Sequence, residues 1–210
     1  MVKFENTNVF NFDGAVRGMR NPLDSWAKSD SSFVDEKFII GDNDKDLIGR
    51  LIAGGSEHRK MMRQIFVCTD IVAPRFWWSE FDTYKVGTTS NSCSTMHKIM
   101  SYEFGLDMFD IEPNRMDYRE RKHWEETVAF LNDLRNRYRT ETNNEIKNNI
   151  FLSMKRVLPE SFLQRRTITM NYENVYNMRK QRSSHRLEGW SKDFMNWSDN
   201  LPYSKLFFKE

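Results

Sequence analysis

A chain of mixed helices and strands, α+β in class, is predicted by three observations. Apolar residues recur every three or four positions over 123–139 and again over 144–156, as they do on one face of a helix. β-Branched alternation over 63–72 and the run Thr167-Ile168-Thr169 read as strands. Finally, 39% hydrophobic and 14% aromatic residues place the 210-residue chain among globular proteins that can bury the core of a single domain.

In chain order, residues 1–42 carry turn signals, Asn-Phe-Asp-Gly at 11–14 and Asn21-Pro22, and are expected to wrap irregularly around the body. Asn43 or Asp44 is placed to cap a helix whose Leu47, Ile48, Leu51 and Ile52 share a face, and Gly54-Gly55 ends it. The strand over 63–72 puts Ile65, Val67 and Ile71 on one side. Residues 98–116 start as a helix and become an irregular connection ending near Pro113. The next helix presents Trp124, Val128, Leu131, Leu134 and Tyr138 on one face. Its successor presents Ile146, Ile150, Met154 and Val157 and stops at Pro159. Beyond the short strand, 171–182 and 187–197 read as helices, the last with a stripe of Leu187, Trp190, Phe194 and Trp197.

Between strand and connection lies Ala73–His97, which concentrates rings and hydroxyls. Phe76, Trp77, Trp78, Phe81 and Tyr84 can stack on a planar ligand, and the following serines and threonines can reach phosphate or carbonyl oxygens. A buried aromatic strand followed by a polar turn accounts for the same residues, so both readings stand.

Charge and composition exclude several classes. Thirty-two Lys and Arg against thirty Asp and Glu leave +2, so no global field points to a nucleic acid or a membrane. Positive charge is local: between Lys155 and Arg186 eight Lys or Arg face only Glu160 and Glu173, which suits a phosphate better than a long polyanion. Cys68, Cys93 and the four scattered histidines lack metal-ligand spacing, so no metal is expected. Glycine-rich phosphate loops are absent, and Ser92 and Ser94 near His97 have no assignable base and orienting carboxylate. Without a membrane-length apolar run or a signal-like start, a cytoplasmic location is expected.

The run KRVLPESFLQRRTITMNYENVYNMRKQRSSHRLEGW resembles the flavin-dependent thymidylate synthases. That family carries Arg-x-x-Leu-Pro, a strand, an Asn-x-Arg turn, a helix with a second Asn, then Arg and a His-Ala-Gln-Trp-Glu-like ending. Leu158-Pro159, Asn171, Asn177, Arg182 and His185 stand at matching spacing, with Lys155 at the first Arg and Glu173 at the Asn-x-Arg arginine. Upstream, Ser56-Glu57-His58 resembles a shortened Thr-Pro-Phe-Glu-His element. The family's Arg-His-Arg signature, seven or eight residues before a serine, falls on Thr83-Tyr84-Lys85 with Ser94, or on Tyr84-Lys85-Val86 in the shorter register. The first register keeps a cation at Lys85 and puts Glu80 near the family's preceding Gln; Met96 replaces an expected Arg.

The resemblance covers roughly 45–200. It implies one α+β domain over 1–210, with a central mixed or antiparallel sheet flanked by helices, assembled as a homotetramer with FAD and dUMP at subunit interfaces. It also implies reductive methylation of dUMP, or a related C5 modification, with methylenetetrahydrofolate and NADPH as co-substrates. Nucleotide-binding positions would be Glu80, Lys85, Ser94, Lys155 and Arg182; flavin-binding positions would be Ser56, His58, Tyr84, Asn91, Asn171 and Asn177. Because the signature arginines are exchanged, a catalytically inactive nucleotide-binding or interaction protein is the alternative, and a purely structural assembly the third reading.

Overall fold

A computed structural model describes residues 1–208. In chain order its elements are β1 (Lys3–Phe10), α1 (Phe12–Arg20), β2 (Ser32–Val34), β3 (Lys37–Ile39), α2 (Asp42–Ala53), β4 (Phe66–Pro74), α3 (Arg75–Phe81), β5 (Thr89–Ser92), α4 (Thr95–Lys98), α5 (Tyr118–Thr140), α6 (Asn144–Val157), β6 (Leu163–Asn171), α7 (Tyr172–Arg182), a π-helical stretch (Gly189–Phe194), α8 (Met195–Asp199) and α9 (Ser204–Phe207).

The class is α+β. The main sheet has strand order β1-β4-β6-β5, and β2 pairs antiparallel with β3 in a separate hairpin. Along β4, Val67, Thr69, Ile71 and Ala73 are buried in alternation, the period expected of a strand. Pairings of Thr7 with Thr69 at 2.8 Å and Asn6 with Asp70 at 2.9 Å run in opposite directions along the chain, so β1 and β4 are antiparallel. The same holds for β4 and β6, where Tyr172 N donates to Ile65 O at 3.0 Å and Thr167 Oγ1 to Asp70 Oδ1 at 2.6 Å.

The chain divides into two compact units, one of Met1, 72–81 and 92–166, the other of 2–71, 82–91 and 167 onward. In the first, the helical stripes read from the sequence meet their purpose: Leu131 and Leu134 of α5 and Ile150 and Met154 of α6 join Phe104, Phe109 and Phe162 in one core. Ile146 and Val157, at the ends of the α6 stripe, are exposed. In the second unit, Arg20 and Asp44 form a buried ion pair at 2.7 Å, with Ser29 and Ser31 both donating to the same carboxylate at 2.6 Å.

Three expectations are corrected. Residues 1–42 are not an irregular wrap, because they supply β1, α1 and the hairpin; left-handed turns at Asn11 and Asp24 carry the turn signals between these elements. Neither Asn43 nor Asp44 caps α2. Gly41 is the N-cap position, and the Asp30 carboxylate accepts from Asn43 N at 2.9 Å and Asp44 N at 3.2 Å, which frees Asp44 to turn inward. Residues 60–64 form a 3₁₀ turn, so the strand expected from residue 63 begins at Phe66. Among the described residues no helix is long and apolar enough to cross a membrane.

Candidate functional site

The aromatic segment resolves mostly into core. Residues 75–81 form helix α3, and Trp77, Trp78 and Phe81 are 0%, 1% and 2% exposed. Trp77 stacks on Phe81 with centroids 5.4 Å apart, Trp78 Nε1 donates to Gln164 O at 2.9 Å, and the Arg166 guanidinium lies 4.2 Å from the Trp78 ring centroid. These rings therefore pack the protein and do not present a stacking face to a ligand. The buried reading is correct, with a helix in place of the strand.

In the first unit, a cation site forms around Lys155 of α6. Its Nζ donates to Thr95 Oγ1 at 2.6 Å, and no carboxylate of the described residues pairs with it. Burial pulls the ammonium below the ordinary lysine range, and the neighbouring Arg75 charge adds to that. Ser94 precedes Thr95 as the N-cap of α4, its Oγ accepting from Met96 N at 3.2 Å and His97 N at 3.4 Å. Lys155 and the Thr95 hydroxyl thus gather donors and a positive charge that no carboxylate of the described residues pairs, groups suited to a phosphate. Arg75 itself pairs with Glu160 at 3.1 Å. Glu80 lies half-buried on α3.

In the second unit, the loop after α3 lies along α7. At one end Val86 O accepts from Asn174 Nδ2 at 2.8 Å. Gly87 follows at φ 75°, where a Cβ would meet Asn171 Nδ2 at 2.8 Å, so only glycine allows this approach. At the other end Tyr84 OH accepts from Arg182 Nε at 2.9 Å and bonds Gln181 Oε1 at 2.9 Å. Arg182 also faces two rings, 5.6 Å from the Tyr84 centroid and 5.3 Å from that of Trp190. Planar guanidinium, phenol and indole surfaces are therefore held together. Lys85, beside them in the chain, is exposed.

The start of α7 carries a second cluster. Asn171 is the N-cap in a reciprocal box with Asn174, whose N donates to Asn171 Oδ1 at 3.0 Å. Glu173, where the resemblance expects an arginine, is buried and receives Arg59 Nε at 3.0 Å together with Arg63 Nε. Burial would raise this carboxyl, but hydrogen bonds from Arg63 and Arg59 and their charges hold it below the ordinary glutamate range. Arg59 further approaches Asn177 Oδ1 at 3.4 Å and lies 4.5 Å from the Tyr176 ring centroid. Ser56 O accepts from Arg63 Nη2 at 3.3 Å, while the exposed His58 sits against Gly54.

Of the positions read from the sequence, Tyr84 and Arg182 are brought into contact within one unit, and within the other Lys155 bonds Thr95, the residue after Ser94. Ser56 and Asn177 both reach the Arg59–Arg63 cluster. Asn91 is exposed on β5 and has no part in these contacts. Sequence reasoning missed Arg59, Arg63, Arg75 and Trp190. The four-residue spacing of Arg59 and Arg63 beside His58 was the available signal for the first pair.

The fold is that of the flavin-dependent thymidylate synthases. Two solved structures of thymidylate synthase X from Helicobacter pylori, both with FAD and dUMP, align over nearly all of the chain. One is 17% identical with a TM-score of 0.68, covering 100% of this chain and 98% of its own. The other is 18% identical with a TM-score of 0.69, covering 99% and 98%. No family model matches the chain. No curated protein matches it either.

Proposed function

We propose that the protein is a flavoprotein that binds a pyrimidine deoxynucleotide and modifies it at C5, by thymidylate synthase-like reductive methylation of dUMP or a related reaction. The observation that carries this reading is the full-length likeness to folds solved with FAD and dUMP. Lys155 and Arg75, with the Ser94 and Thr95 hydroxyls, are the groups suited to the nucleotide phosphate. Lys155 attracts an anion because it is half-buried and bonded only to a hydroxyl. Arg182, bonded to Tyr84 and facing the Trp190 ring, is assigned to the nucleotide as a guanidinium of fixed position.

The residues fit a flavin. Amides at Asn171 and Asn177, the half-buried Tyr84 ring and the guanidinium groups near α7 supply the polar edges, flat face and positive charge that such a ligand requires. Flavin, when bound, supplies the hydride chemistry, and the protein's part is to bind and orient. Methylenetetrahydrofolate as carbon donor, NADPH as reductant, a homotetrameric assembly and a cytoplasmic location complete the proposal. Ser56, His58 and Asn91 are assigned to the flavin side, Glu80 and Lys85 to the nucleotide.

The burial of Trp77, Trp78 and Phe81 favours a second reading, a catalytically inactive nucleotide-binding protein that keeps the fold, because these rings cannot replace the exchanged signature arginines. Calorimetry with dUMP separates the two. The enzyme reading expects dUMP binding that strengthens with FAD and weakens at least tenfold in Lys155→Ala. FAD-independent binding supports the inactive protein, and silence under both conditions removes both.

A further inference from the structure

Two arginines on one carboxylate leave charge over. Arg63 grips Glu173 side-on, Nε to one oxygen and Nη2 at 3.4 Å to the other, which by itself neutralises the acid. Arg59 then adds a second guanidinium on the same carboxylate, its side chain only 13% exposed. The charged groups facing the cluster are Arg59, Arg63 and Lys180, whose Nζ lies 4.7 Å from the Tyr176 centroid, against Glu173 and the more distant Glu57. Glu173 joins the two guanidinium groups but balances only one of their charges, so a further anion beside the half-exposed Arg63 and the more buried Arg59 is favourable. The rigid anchors are already present: Tyr176 under Arg59, Asn177 at its Nη2, and Ser56 O at Arg63 Nη2. These bonds use the Nε and Nη2 edges, leaving the Nη1 amino groups outside the carboxylate fork.

We propose that Arg59 and Arg63 form a paired guanidinium grip for a pyrophosphate group, that of a dinucleotide flavin, and that Glu173 is the positioning residue that sets their spacing. Only the identity of the ligand rests on the flavin reading above. Glu173 itself touches no ligand; it acts by fixing two forks that would otherwise repel one another.

The full chain is titrated with FAD, riboflavin and inorganic pyrophosphate, and Arg63→Gln, Arg59→Lys and Glu173→Gln are compared after circular dichroism confirms folding. Arg63→Gln changes a half-exposed side chain and is the variant least exposed to misfolding. The grip predicts that each variant loses at least tenfold in affinity for FAD and for pyrophosphate, with riboflavin affinity unchanged. FAD binding that is equal in wild type and variants overturns the grip while leaving the flavin reading intact. Pyrophosphate binding that Arg63→Gln abolishes, in a protein that binds no flavin, supports the grip and removes the flavin reading. No binding of any of the three probes overturns both.

Discussion

Asp44 shows how far a residue's role can lie from its apparent one. In the sequence it is a helix cap; in the fold it is a buried anion held by Arg20, Ser29 and Ser31. Removing one partner of a buried pair strands the other, so Asp44→Ala is expected to cost about 3–5 kcal/mol, measured by urea unfolding. Both Asp44 and Glu173 have carboxyls held below their ordinary ranges once burial is outweighed by their partners. Their stabilisation is therefore complete above the unfolded carboxyl pKa of about 4 and is lost as pH falls further. Unfolding free energy should fall as pH drops below about 4 in the wild type and fall less steeply in Glu173→Gln. An unchanged slope would show that Glu173 is not ionised by its arginines. The pairing itself was illegible, since Glu173 and Arg63 are 110 residues apart and nothing local to either names the other.

At the scale of elements, what was local was legible. Asn171 caps α7 as its residue type suggests, Pro159 follows the end of α6, and Gly54-Gly55 close α2. The rings at 76–81 were ambiguous because four apolar positions in six fit a buried helix and a buried strand alike. Packing against Gln164 and Arg166 decides the matter, and those contacts are not written in the segment. The loop from Tyr84 to Gly87 depends on its glycine. Gly87→Ala places a Cβ at positive φ against Asn171 and is expected to cost about 1–3 kcal/mol in urea unfolding. Because the same loop delivers Tyr84 to Arg182, the variant should also weaken flavin binding, and intact flavin affinity would detach the loop from the site.

For the whole molecule, the order of motifs carried more information than any one motif. Leu158-Pro159, Asn171, Asn177 and Arg182 anticipated a fold that the solved structures then matched from end to end, at an identity where residue-by-residue likeness is mostly lost. The exchanged signature remains the place where this chain goes its own way. Its tryptophans are core and its lysine lies exposed; within one unit Arg59 and Arg63 meet on Glu173, and within the other Arg75 pairs with Glu160. The central claim is the proposal that this chain, with its signature exchanged, still binds a flavin. It is tested most directly by the visible absorption spectrum of the purified protein, before and after FAD is added and excess removed. A retained flavin spectrum, with FAD identified by mass in the denatured supernatant, is the predicted result; a protein that shows no flavin absorbance and retains none after loading would contradict it.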